Sequence, residues 1–215
     1  MTAIAYGRGR ILSAAVGLSV AALVPGCQAV ALPWLLWGEP PTKTVPADYP
    51  YLAGKRVGVI VRADVGVLFE FPHVQWEVAD HVTVALENNV RGVKTVEARK
   101  IAEYQRREPD WDKEDPPRLG RKFDADRLIE INLTQYTTRD PEGPYVQRAH
   151  IAAVVNVYNT EYPNSAPAYS TEVRVEYPPQ AGEYGLSDAA IRRGGMEAFA
   201  AEVAGKFYER KVKAK

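Results

Sequence analysis

Leu52-Ala-Gly-Lys-Arg-Val-Gly-Val-Ile-Val61 reads as the opening of the folded part of this chain. Val57, Val59 and Val61 alternate with Gly58, Ile60 and Arg62, so the run is apolar on both faces. A strand wetted on one side alternates apolar with polar; one covered on both sides does not, and this predicts an inner strand. Downstream, Pro72 is placed to open a helix reaching about Asn89, because Val74, Val78, Val82, Ala85 and Leu86 fall on one stripe at about 100° per residue. Val93–Val96 reads as a short strand, Ala98–Arg107 as a strongly charged helix and Glu108–Pro117 as an exposed loop.

Three period-two segments follow. Ile129, Ile131 and Leu133 share a face in 126–135, and Ile151, Ala153, Val155 and Val157 share one in 150–158. In 170–177 the set is Thr171, Val173, Val175 and Tyr177. Each reads as a strand with one covered face, separated by the proline-bearing turns of 139–144 and 162–167. A last helix is expected from Ser187, an N-cap residue followed by Asp188, toward Val212, burying Met196, Phe199, Val203 and Phe207. Gly194-Gly195 weakens its first turns, which predicts a later start. The order β-α-β-α-β-β-β-α, with helices early and hairpin-linked strands late, predicts an α+β domain over 51–215. Its single mixed or antiparallel sheet should carry helices mainly on one face.

Residues 38–50, rich in proline and poor in core residues, read as a semi-rigid tether. Ahead of them Arg8 and Arg10 precede an apolar stretch, Ile11–Val24, with no acid in residues 1–26. As a helix these fourteen residues span about 21 Å, short of a hydrocarbon core of about 30 Å. That suits the apolar region of an export signal better than a permanent span. Leu23-Val24-Pro25-Gly26-Cys27 resembles the lipobox of bacterial lipoprotein precursors. The resemblance implies cleavage between Gly26 and Cys27, a diacylglyceryl thioether on Cys27, and often an acyl chain (palmitate or similar) on the new amine. Two or three chains anchor stably where one binds marginally. The layout is then a signal peptide over 1–26, a lipid anchor and tether over 27–50, and a periplasmic domain. Gln28, where an Asp is linked to inner-membrane retention in enteric bacteria, favours the outer membrane. Two alternatives keep the destination: ordinary signal cleavage near Ala29 or Ala31, or retention of the apolar segment as an anchor, since Val30–Trp37 is apolar again. Trp34 and Trp37 suit either a bilayer interface or the domain's surface.

The opening strand, the helix after it and Asp124-Ala-Asp-Arg-Leu-Ile-Glu-Ile131 leading into a meander are together similar to periplasmic lipoproteins of the curli-secretion and penicillin-binding-protein-activator type. The resemblance runs over roughly residues 52–212 and implies a module that binds partner proteins or oligomerises, with no catalytic residues to carry over.

Composition narrows the remaining classes. Apolar residues make up 46% and charged residues 25% of 215, an ordinary globular balance. There are 27 basic and 27 acidic residues. Loss of Arg8 and Arg10 with the signal leaves 25 against 27, without the basic excess of a dedicated nucleic-acid binder. The single cysteine closes no disulfide within the chain. His73 and His81 stand about 12 Å apart along one helix, too far to share an ion, and His81 with Glu77 is a pairing common by chance. His150 is isolated in the sequence. Asp110, Asp112, Glu114 and Asp115 suggest a calcium loop, but an EF-hand counted from Asp110 would find Asp115 and Arg121 where it needs Gly and Glu.

No nucleophile elbow, Ser-x-x-Lys pair or phosphate loop occurs. Asn132-Leu-Thr134 matches a glycosylation sequon inside a strand. Lys206, Arg210, Lys211, Lys213 and Lys215 concentrate positive charge, set either to meet anionic headgroups or to oppose a helix dipole. Phe69-Glu-Phe-Pro-His73 is an apolar, proline-stiffened segment, either a partner-docking lip or folded back on the core. The expectation is a non-catalytic envelope module, without cofactor or metal. It would be tied to a membrane through Cys27 and bind another envelope protein or itself. A hydrolase with a site assembled from distant residues and a lipid-binding domain are the alternatives.

Overall fold

The computed structural model describes residues 42–140, 143, 147–180 and 186–213. The signal and lipobox readings, Gly26, Cys27, Trp34, Trp37, half of the 139–144 turn (141, 142 and 144) and Lys215 lie outside the described residues. In chain order the elements are β1 (Thr42–Val45), β2 (Arg56–Arg62), α1 (Val65–Glu70), α2 (Val74–Asn89), β3 (Lys94–Thr95), α3 (Ala98–Arg107), a 3-10 turn (Trp111–Lys113), α4 (Pro116–Lys122), β4 (Arg127–Arg139), β5 (Gln147–Asn159), β6 (Tyr169–Tyr177), α5 (Asp188–Ala204) and β7 (Arg210–Lys213).

The main sheet has the order β3-β2-β4-β5-β6. β2 runs parallel to β3 and to β4, while β4, β5 and β6 form an antiparallel meander. This is the expected α+β class with a mixed sheet, and β2 is the inner strand its two-sided apolarity predicts. Val57, Val59 and Val61 point to the larger core and Ile60 to a smaller one. The larger core joins them to Ile129, Ile131, Leu133, Ile151, Ala153, Val155 and Val157 from the sheet, under α2 and α5. The α2 stripe is buried at Val74, Val78, Val82 and Leu86.

Both long helices thus share one face, and the shorter α3 and α4 lie on the other. Ile101, Trp111, Leu119 and Phe123 pack there on Ile60 and Leu128. The two-sided arrangement follows from connection handedness. The chain leaves β2 for β3 on one side, then passes back to β4 on the other. Right-handed crossovers in opposite directions put their helices on opposite faces.

Four elements stand beyond the expected order. β1 forms inside the presumed tether, pairing antiparallel with β7 in the register Thr42↔Lys213 to Val45↔Arg210. Tyr49, a few residues on, is buried against Tyr169 and Phe207. The last helix stops at Ala204 instead of running toward Val212, and Phe207 is buried from the segment leading into β7. The 108–117 stretch is not an exposed loop: Trp111 is buried, and Pro116 stands at the first position of α4. α1 is the fourth.

α5 starts at Asp188, capped by Ser187, whose hydroxyl accepts from the Ala190 N–H at 3.3 Å. It continues through Gly194-Gly195 without delay. Those glycines are a packing surface, set against Tyr177 and Ala149. Gly54, at φ +70°, makes the turn that feeds β2 and donates its N–H to the Arg91 carbonyl at 3.1 Å.

Candidate functional site

The parallel strand β2 is followed first by β3 on one flank and later by β4 on the other, so its carboxyl end is a topological switch point. In open α/β sheets that is where crevices form. β3 is only two residues long and pairs with Arg56 and Val57 alone. The Lys94 and Val96 N–H groups reach the Lys55 and Val57 carbonyls, both at 2.9 Å. By strand alternation the Val61 carbonyl faces the same flank, where no strand among the described residues meets it. Its carbonyl instead accepts the side-chain amides of Gln75 at 3.0 Å and Gln105 at 3.1 Å. One buried backbone oxygen so ties α2 and α3 to the strand end, satisfying an acceptor that would be costly to leave unmade.

Between these two helices lies a cleft of about 300 Å³. The entry to α2 gives it Pro72 and His73, its first turn gives Trp76, and α3 gives Arg99, Ala102 and Arg106. Trp76 is 41% exposed. Neither arginine has a carboxylate partner among the described residues, and the lining itself holds no acid. Immediately before Pro72 comes α1, capped by Asp64, which accepts the Val67 N–H at 2.9 Å. This helix buries none of its residues fully; Val65 is 83% and Phe69 90% exposed. The apolar segment divides between its two readings: Phe69 projects as a lip, while Phe71 folds back onto Tyr136, ring centroids 4.8 Å apart. Arg192 of α5 lies over the Phe71 ring at 5.3 Å and pairs with Glu77 of α2, which fixes the root of the lip.

On the other flank of the switch point Glu130 is buried at 5% exposure. Its carboxylate accepts from Arg62 at 2.6 Å, from Asn132 and Asn156 at 3.3 Å each, and from the Tyr158 hydroxyl at 3.2 Å. Arg62 also donates to the Asp112 carbonyl at 2.6 Å and lies 4.9 Å from the centre of the Trp111 ring. Burial, with the nearby Glu130 charge second, pushes the Tyr158 phenol up to about 12. Every member has a partner, so the cluster acts as a lock holding the 111–113 turn over the sheet.

The other sequence candidates lie apart. His73 lines the cleft, His81 sits along α2, and His150 stands 3.8 Å from both Asp140 and Glu176. The acids of 110–115 are spread among local partners: Asp110 with Lys113, Glu114 with Lys122 and Tyr104, and Asp115 with the Asn164 N–H at 3.0 Å. Among the described residues no three His, Cys, Asp or Glu side chains gather as ion ligands. Of the basic carboxy-terminal group, Lys206 and Arg210 are held by Glu202 at 3.0 and 2.9 Å. Asn132 belongs to the Glu130 cluster. Sequence reading missed the two arginines of the cleft; their seven-residue spacing, which repeats the same helix face, was the available signal.

The chain matches no protein-family model, and no curated protein matches its sequence. Solved structures do resemble it. A point variant of the PelC dodecamer from Paraburkholderia phytofirmans is 11% identical, covering 80% of this chain and 100% of that one, with a TM-score of 0.47. Lipoprotein GNA1162 from Neisseria meningitidis is 14% identical over 70% of this chain and 96% of that one, at 0.46. A minor lipoprotein from Acinetobacter baumannii is 9% identical over 76% and 99%, at 0.35. Bacterial lipoproteins are thus among the solved structures to which this chain is similar.

Proposed function

We propose that this chain is a lipid-anchored protein of a bacterial envelope, held at the outer membrane and facing the periplasm, whose domain binds another protein or a second copy of itself and does not catalyse a reaction. The lipobox-like Leu23–Cys27 supports the anchor, and Gln28 supports the outer-membrane destination. The Gly-Lys-x-Val-x-Val opening strand and the later Ala-Asp-hydrophobic strand support kinship with curli-secretion and penicillin-binding-protein-activator lipoproteins.

The binding role rests on one observation: the α1 lip holds Phe69 at 90% and Val65 at 83% exposure. Four residues apart on one short helix, the two share a face and form an exposed apolar patch of the kind that marks interaction surfaces, whose energetics aromatic side chains dominate.

A photoreactive amino acid placed at Phe69 in living cells should give a discrete adduct of defined mass. The same probe at Val84, exposed on α2, should give none. If Phe69 yields no adduct and the purified protein turns over a substrate, the reading is wrong. The anchor is tested separately: Cys27→Ser should release the protein from the membrane fraction and remove a fatty-acid mass from its mature amino terminus.

A further inference from the structure

We infer that the α2–α3 cleft receives an extended acidic segment of a partner protein, with an apolar side chain over Ala102 and Trp76 and a carboxylate toward each arginine. The inference rests on the binding reading above and names the chemistry that would satisfy it.

Three features select this occupant. The first is charge: two guanidiniums without carboxylate partners among the described residues line a cleft with no acid of its own. A partner carrying carboxylates supplies what the walls lack, and arginine forks accept carboxylates with two parallel hydrogen bonds. The second is spacing. Arg99 and Arg106 are seven residues apart on α3, two turns, and so about 10 Å along the axis on nearly the same side. Ala102 lies between them and leaves room where a larger side chain would fill it. Side chains on one side of an extended peptide recur every second residue, about 7 Å apart. An acidic–x–apolar–x–acidic segment therefore sets an apolar group at the centre and a carboxylate within reach of each flexible arginine.

The third feature is size. A volume of about 300 Å³ lies at the small end for a ligand cleft and has room for one large side chain at its centre. Trp76 forms the apolar wall, and Phe69 stands just upstream of Pro72 to extend the contact.

The test uses the full chain in detergent and two fluorescein-labelled peptides, Gly-Glu-Ser-Leu-Ser-Glu-Gly and its counterpart with both Glu replaced by Lys. Anisotropy at low salt should show saturable binding of the acidic peptide, at least about tenfold tighter than the basic one and weakened by added salt. The double variant Arg99→Glu/Arg106→Glu should reverse that preference with its melting temperature unchanged, since both side chains are exposed. Ala102→Trp, which fills the cleft and alters no charge, should abolish binding of both peptides.

Equal binding of the two peptides, no saturable binding, or no response to either variant overturns the proposal. So does adhesion of the wild type, but not the double variant, to phosphatidylglycerol vesicles when the acidic peptide fails to bind; the arginines would then read a lipid surface. An adduct at Phe69 alongside peptide failure sinks this inference and leaves the broader binding reading standing.

Discussion

Gly195 sits where α5 passes over β5, and a Cβ built there would stand 2.6 Å from the Ala149 Cβ. Both residues are buried, so neither can yield without moving backbone. Overpacking of this kind costs about 1–3 kcal/mol, more than the helix gains by replacing glycine. Gly195→Ala should therefore lower the urea midpoint with the m-value unchanged. Tyr158 offers a second test, on the alkaline side. Its folded-state pKa lies above the unfolded value, raised by burial first and by Glu130 second. The contribution of the neutral phenol is thus intact below about pH 10 and is lost as the pH climbs toward about 12. Ultraviolet difference titration of wild type against Tyr158→Phe should isolate one phenol ionising near the top of that window. In Glu130→Gln the same phenol should titrate lower, though burial will keep it above an exposed tyrosine.

Among the elements, α1 is the least secured. It has six residues, none fully buried, and the Asp64 cap supplies its start. Asp64→Ala removes that acceptor at a cost of about 1 kcal/mol. Because little of the core depends on α1, opening should stay local. Hydrogen exchange at 67–71 should quicken severalfold while the global unfolding midpoint moves little.

The same lack of burial explains why α1 was illegible in the sequence. Val65, Val67, Leu68 and Phe69 show no amphipathic period, since Val67 and Leu68 rest partly on the core while the equally apolar Val65 and Phe69 face water. β5 and β6 were legible because each has one covered face, and period two writes that directly. β4 kept the alternation although Leu128 and Glu130 are buried on its other face, because that face carries the Glu130 carboxylate and Asn132. α4 was hidden by its prolines, which look like loop residues yet suit a helix's first turn. β7 was hidden because the apolar stripe of α5 carries on to Phe207, three residues past the helix end. The cleft was hidden for another reason: residues 72–76 and 99–106 meet only after the chain has crossed to β3 and turned back over the opposite face. His73 and the Phe69 segment were visible as candidates. The arginines looked like the solvated face of a charged helix, which is what they would be without α2 beside them.

At the scale of the whole domain, two cores share one sheet. Val57, Val59 and Val61 belong to the larger and Ile60 to the smaller, so β2 carries both. Neither layer can leave without stripping a strand the other needs, and this predicts one cooperative transition. Leu119→Ala, at a fully buried position of the smaller core, should cost about 2–5 kcal/mol. Far-ultraviolet dichroism and a near-ultraviolet signal to which the buried Trp111 contributes should shift together in its unfolding curve; separate midpoints would mean that the α3–α4 layer melts alone.

The β1–β7 ribbon brings Thr42 level with Lys213. The entrance and exit of the folded body are therefore neighbours, and a short linker could join them into a circular permutant, with new ends opened in the exposed turn at Tyr162–Asn164. It also means that a fluorescent reporter fused after Lys213 would emerge beside β1. If the chain is anchored through Cys27 as proposed, that reporter would read out distance to the lipid surface.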